Sequence, residues 1–377
     1  MDFIELAQDF LKHSGSRLYP AGFLTRMRYI SDLYLDDSKR PQSVTSPMYL
    51  TDLGVRKFAD PETIFVSVVG ENLLETKEFA EPLYSISINE LAKFLDGYIL
   101  FTGDYSTAAN VIHARKEDIV KKNDYRLYLY SAMILAAVED VESLNYFDKA
   151  YDVAESIQDE LSAKHRKSVA CVKRFNLFDS ALDILDEIRV LANKNVIVAD
   201  TTNPISTKAF LALADNLQAF IHLKLNEHDS ALKYILSAST QCRQVIKNEN
   251  ITPEFARYYV QVALNKAELF VKMKAFDDAY SEYKDNIDFC SIYCHEYLSE
   301  AYAIGSIGLF RMNKYMQALN WSTIAINLIC REASPRRLKV ARKIRVACLC
   351  KMNILDLANK DAELIDKDPL GYTLLES

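Results

Sequence analysis

One local pattern returns along this chain and constrains its fold more than any other feature. An amphipathic segment ends in a short polar turn, a bulky or aromatic residue follows, and an alanine stands three residues later. It reads Thr102-Gly103-Asp104-Tyr105-Ser106-Thr107-Ala108 and Asn176-Leu177-Phe178-Asp179-Ser180-Ala181. It returns as Glu227-His228-Asp229-Ser230-Ala231, Lys274-Ala275-Phe276-Asp277-Asp278-Ala279 and Asn313-Lys314-Tyr315-Met316-Gln317-Ala318. A degenerate copy is Ile354-Leu355-Asp356-Leu357-Ala358, and a unit without the alanine is expected around Asp140 to Ala150. A unit of this size cannot bury its apolar face alone, so copies must stack on one another.

Packing between paired helices accounts for the residue types. The second helix of a pair must approach the first closely, so its early core position takes a small side chain. The bulky residue before it (Tyr105, Phe178, Phe276, Tyr315) plugs the turn. Nine residues before the alanine the first helix supplies Ile99, Val172, His222, Phe270, Leu309 and Leu349. Four after it come Ile112, Leu185, Ile235 and Tyr283.

Glycine and proline, nine each in 377 residues, are too few for the turns of a sheet-rich fold. Asp60-Pro61-Glu62, Thr252-Pro253-Glu254 and Ser334-Pro335 read as helix starts, since proline at the first helical position forfeits no hydrogen bond. Ser87-Ile88-Asn89-Glu90 reads as a capping box. Apolar spacing of three and four, as in Leu182, Leu185, Ile188 and Leu191, is that of helices.

The pattern resembles the tetratricopeptide repeat over roughly residues 88–370, with the copies ending at Ala108, Ala279 and Ala318 as the best matches. That resemblance implies an all-α, right-handed superhelix of stacked antiparallel helix pairs whose first helices line the concave side. The alanines at 181, 231, 279, 318 and 358 are 50, 48, 39 and 40 residues apart, against a family period of about 34. Longer helices or inserted loops must absorb the excess, and 193–207 and 247–252 are the expected insertions. Such stretched repeats look like those of bacterial peptide-sensing and transcription-regulating helical domains, and of eukaryotic scaffold subunits.

Residues 1–87 are less regular and are expected to form a helical cap or a small effector region ahead of a solenoid over 88–377. Helices are expected near 2–13, 21–35, 47–58 and 62–80. A helix-turn-helix DNA reader using Arg26, Arg28, Arg56 and Lys57 is not favoured, because no suitable turn separates two short helices.

Chemistry finds no support. No glycine-rich run leads to Lys-Ser/Thr, and no His-Glu-x-x-His occurs. Cys290, Cys294 and His295 form one metal-like cluster without a fourth ligand, and buried small hydrophobes are the simpler reading. No cofactor, metal or catalytic residue is expected. Seven cysteines without a disulfide spacing, and an acidic start at Met1-Asp2-Phe3-Ile4-Glu5, point to the cytoplasm with the nucleus left open. The longest clean apolar run, Ala132 to Val138, is too short to span a bilayer.

A row of cations carries the functional expectation. Seven residues before each repeat alanine stand Arg174, Lys224, Lys272, Arg311 and Lys351, and the same first helices carry Arg166, Lys173, Asn216 and Lys343. On concave first helices these form a basic groove for an acidic segment or a peptide C-terminus, with Asn216 and Asn265 holding peptide backbone. The competing reading is a set of solvated helix-end charges that complement the helix dipole. Two basic stretches, Lys164-His165-Arg166-Lys167 and Arg336 to Arg345, divide in the same way between a solvated face and an acidic partner. The net charge of −7 disfavours nucleic acid as a general partner.

The expected function is a non-catalytic protein- or peptide-binding module. A ligand-responsive regulator acting through residues 1–87 and a scaffold subunit of a large complex are the alternatives. Parts of 97–214 resemble the helical arms of proteasome-lid and signalosome subunits. Those end in a winged-helix domain, for which repeats running almost to Pro369 leave no room.

Overall fold

A computed structural model describes residues 83–89, 91, 92, 95, 105–198, 204–248, 253–293, 297–330 and 335–368. The expected helices over residues 1–80, Arg26, Arg28, Arg56, Lys57, Ile99, Cys294 and His295 lie outside the described residues. Among those described, every extended element is a helix and there is no strand. In chain order they are α1 (Tyr105–Ala114), α2 (Lys116–Lys122), α3 (Tyr125–Ala137), α4 (Glu142–Asp152) and α5 (Ile157–Ala170). A π-turn, Cys171–Phe175, then leads to α6 (Phe178–Val198), α7 (Pro204–Lys224), α8 (His228–Asn248) and α9 (Pro253–Lys272). Next come α10 (Phe276–Tyr293), α11 (Leu298–Arg311), α12 (Tyr315–Ile329), α13 (Pro335–Lys351) and α14 (Leu355–Lys367).

The described chain divides into two compact units, one of Leu83–Ala92 with Tyr105–Met273, the other of Leu95 with the residues from Lys274 onward. Within the first, α3 pairs with α4, α5 with α6 and α7 with α8, and each pair packs on the next. Within the second, α11 pairs with α12 and α13 with α14.

The repeat alanines sit where close helix approach requires them. Ala108, Ala181, Ala231, Ala279 and Ala318 are 0% exposed and Ala358 is 2% exposed. The residues four later, Ile112, Leu185, Ile235 and Tyr283, are all buried. The unit without an alanine uses Ser143, fully buried on α4, with Ile134 nine residues before and Phe147 four after. The position nine before the alanine is buried at Val172, Leu309 and Leu349, but only half-buried at His222 and Phe270. There the preceding Ile221 and Leu269 enter the core instead, while His222 stacks on Tyr234 (5.3 Å) and meets Glu227 at 2.6 Å.

The pairs are joined through one residue in the left-handed region, Glu139, Asn176, Asn226, Asn313 and Asn353, and Lys274 at the start of the second unit adopts the same conformation, with φ between 54° and 62° in all six. The helix ends there because the next amide turns back, as when Glu227 N–H donates to His222 O (2.8 Å) and Lys314 N–H to Leu309 O (2.9 Å). Asparagine is among the few side chains that tolerate this conformation.

Among the described residues the long repeat period comes from long helices. α6, α7 and α8 have 21 residues each and α9 has 20. The expected insertion over 193–207 is helical to Val198 and again from Pro204, and α8 runs to Asn248. α9 and α13 start at Pro253 and Pro335, as the sequence predicts.

Each basic stretch is engaged in part inside the chain. Lys164 pairs with Glu187 (2.5 Å) and lies over Tyr151, and Lys167 pairs with Asp148 (2.6 Å). On α13, Arg342 is 3% exposed, bonds Asp368 Oδ2 (3.0 Å) and donates to the carbonyls of Leu364 and Asp368. Arg345 meets Asp361 at 3.2 Å. The acidic surface that these two arginines face is the chain's own last described helix, while Lys339 and Lys343 stay exposed.

Candidate peptide-binding face

The first helices of the 105–273 unit pack on each other as well as on their partners, α5 on α7 and α7 on α9. All three run the same way, so their side chains form layers across one wall.

From beyond the middle of α5, His165 meets Phe210 in the first half of α7 edge-on at 6.1 Å. It also meets Tyr258 of α9 edge-on at 6.5 Å. Side chains of the two flanking helices thus reach each other above the helix between them.

One layer further, Asn265 Nδ2 donates to Asn216 Oδ1 at 2.9 Å, joining α9 to α7. The bond uses one donor and one acceptor. It leaves Asn216 Nδ2 and Asn265 Oδ1 without a protein partner among the described residues, and an amide donor beside an amide acceptor is what a peptide backbone pairs with.

At the far end, the Lys224 ammonium lies 5.3 Å and the Lys173 ammonium 5.9 Å from the centroid of the Phe220 ring. Lys266 lies 5.6 Å from the Phe270 ring. The π-turn brings Lys173 to this position. Leu177 N–H reaches back to Cys171 O (2.9 Å), one residue further than at the other turns. Each added residue rotates the next side chain about the helix axis by about 100°.

The structure therefore brings together four of the sequence-predicted residues: Lys173, Asn216, Lys224 and Asn265. Arg174 in the π-turn and Lys272 in the last turn of α9 are exposed. Arg166 instead lies toward Tyr125 at the start of α3, whose hydroxyl burial holds well above its usual pKa while this arginine opposes the shift. Arg311, Lys343 and Lys351 belong to the unit beginning at Lys274, where all three are exposed. Sequence patterning does not single out the rings of Phe220, His165, Phe210 and Tyr258. His165 stands in a basic stretch, and tyrosines such as Tyr258 and Tyr259 are in sequence more simply read as filling helix–helix seams.

The polar groups between second helices serve structure. Asp215 accepts from Arg189 (2.9 Å), Ser237 (2.7 Å) and Gln241 (3.0 Å), tying α6, α7 and α8 together. Cys290, from the metal-like cluster, is fully buried, and no group of three metal-binding side chains occurs among the described residues.

No protein-family model and no curated protein matches the chain. Among solved structures, the apo form of the quorum sensor NprR from B. thuringiensis is similar over 96% of both chains, at 11% identity and a TM-score of 0.51. A signal-transduction ATPase with a tetratricopeptide repeat sensor from Pyrococcus horikoshii is 14% identical with a TM-score of 0.47. The match covers 81% of this chain and 49% of that one, so this chain spans about half its length. The tetratricopeptide domain of P58(IPK) is 17% identical over 80% of this chain and 99% of that one, with a TM-score of 0.24. At such identities the likeness is one of fold: an all-α, tetratricopeptide-like stack of helix pairs.

Proposed function

We propose that this tetratricopeptide-like protein is a non-catalytic interaction module that holds an extended peptide, or the C-terminal segment of another protein, on the α5–α7–α9 face. The observation that carries this reading is the convergence of Lys173 and Lys224 on Phe220, beyond the Asn216–Asn265 pair. Two full charges there outweigh the partial negative charge, about half a unit, at each first-helix end. They suit a carboxylate, and the asparagines suit the backbone leading to it. Arg174 and Lys272 form the rim, and Arg311, Lys343 and Lys351 are partner contacts on the other unit. Arg166, directed toward Tyr125 of α3, lies outside this site.

A net charge of −7 argues against nucleic acid as the general partner. No helix among the described residues is long and apolar enough to cross a membrane.

The test is co-purification from native cells followed by mass spectrometry, comparing wild type with Lys173→Glu/Lys224→Glu. Wild type is expected to retain a peptide or protein that salt releases and that the double variant loses at an unchanged melting temperature. Equal recovery by both would remove the face from consideration.

A second reading, a ligand-responsive regulator, rests on the fold match over 96% of both chains to a protein described as a quorum sensor. Recovery of DNA together with the small ligand favours it. A stoichiometric large complex favours a scaffold subunit instead.

A further inference from the structure

We infer that the turn edge of the 105–273 unit is a second interaction surface, which takes an amphipathic α-helix of a partner protein carrying an apolar residue at every seventh position. It is separate from the α5–α7–α9 face and stands or falls without it.

Helices α3, α5, α7 and α9 run the same way, because each is separated from the next by one antiparallel helix that packs on both. The chain reversals that follow them therefore share one edge of the unit. Each of the four carries a large apolar side chain turned to solvent. Val141 is 70% exposed, Leu177 42%, Leu225 46% and Met273 37%. Exposed apolar residues scattered singly are ordinary. One per reversal, through four successive layers, is not scattered. Nor does the turn itself force the exposure. Met312 stands before Asn313 as Leu225 stands before Asn226, yet it is only 6% exposed.

Charge borders the row on both sides. Arg174 in the π-turn and Lys272 at the end of α9 are exposed on the first-helix side. Asp179 and Asp229, in the first turns of α6 and α8, are exposed on the second-helix side. Helix dipoles account for these charges, but not for the apolar row between them.

The spacing selects the occupant. Helices packed side by side lie about 8–10 Å apart, and seven residues of α-helix rise about 10.5 Å. A helix laid along the edge thus sets one residue per heptad over each reversal, and about 22 residues reach from Val141 to Met273. Its flank over Arg174 and Lys272 is acidic and its flank over Asp179 and Asp229 is basic. The order of the two flanks fixes the direction in which it runs. A second copy of this chain fits less well, because two rows of single side chains meeting tip to tip leave the gaps between reversals unfilled.

The experiment uses the full chain and a fluorescent 22-residue helical peptide. The peptide has leucine at every seventh position, glutamates on one flank, lysines on the other and alanine elsewhere. A second peptide exchanges the flanks, and a third replaces the leucines by serine. Wild type is expected to bind the first two and not the third. A photoreactive group at the peptide N-terminus should cross-link near one end of the edge for the first peptide and near the other end for the second. Leu177→Ser/Leu225→Ser is expected to lower affinity by about tenfold or more at an unchanged melting temperature, since both residues are exposed. Val190→Ser, at a 54% exposed position in the middle of α6, should bind as wild type does. No binding by wild type, equal binding of the serine peptide, affinity indifferent to the double variant, or cross-links at one end for both peptides overturns the inference. A wild-type dimer in sedimentation that the double variant dissociates assigns the edge to a second copy and overturns it as well.

Discussion

Asn216 and Asn265, 49 positions apart in the chain, share a 2.9 Å hydrogen bond across the seam between α7 and α9. Asn265→Leu leaves the buried Asn216 oxygen without its donor, at an expected cost of roughly 1–3 kcal/mol in urea unfolding. Changing both to leucine should recover much of that stability, because no polar group is then stranded. Binding is expected to fail in both variants. If the double variant binds ligand as wild type does, the pair serves only to hold α7 against α9.

Ser143 and Ala318 occupy the same repeat position, and opposite substitutions should have opposite signs. The Ser143 hydroxyl is buried without a partner, so Ser143→Ala is expected to be neutral or to stabilise by up to about 1 kcal/mol. Ala318→Leu forces extra volume between α11 and α12, and Ala279→Leu forces it into a fully buried position on α10, so each should destabilise by roughly 1–3 kcal/mol. Denaturant midpoints decide both. Unchanged midpoints for the leucine variants contradict the assigned register.

Arg342 fastens the end of α14 through Asp368 and the carbonyls of Leu364 and Asp368. Arg342→Met removes one partner of a buried ion pair, a loss of about 3–5 kcal/mol. Hydrogen exchange should show α14 amides losing protection while those of α11 and α12 retain theirs. Loss spread evenly over these helices contradicts a local fastening.

Cys242 titrates in a direction that can be tested. Burial pushes its thiol up to about 12, against about 8.5 in the unfolded chain. The raised folded value means its contribution is fully present below pH about 8.5 and is lost as pH rises toward 12. The melting temperature of wild type should therefore fall across that range, and Cys242→Ala should fall less steeply. Equal slopes contradict this assignment.

Much of the frame is legible in residue order because its causes are local. An alanine at the tight approach and an asparagine at the reversal, as at Asn226 and Ala231, need only their own turn to act. Starts at Pro253 and Pro335 follow from the missing amide of proline. The stretch 193–207 misleads because Asn193-Lys194-Asn195 is polar and unpatterned, yet α6 continues through it to Val198. The basic stretches mislead for another reason. Whether Lys167 or Arg342 faces solvent depends on Asp148 and Asp368, nineteen and twenty-six residues away.

Residue order alone determines that this chain folds as paired helices in register, since small residue, plug and reversal recur at fixed offsets and each acts over a few residues. Only tertiary structure decides which cations share a wall. A single extra residue in the π-turn swings Lys173 onto Phe220, and three aromatic rings from three separate helices meet. Such convergence is set by helix rotation and curvature, to which every packed side chain contributes and for which no short run of residues is a sufficient cause.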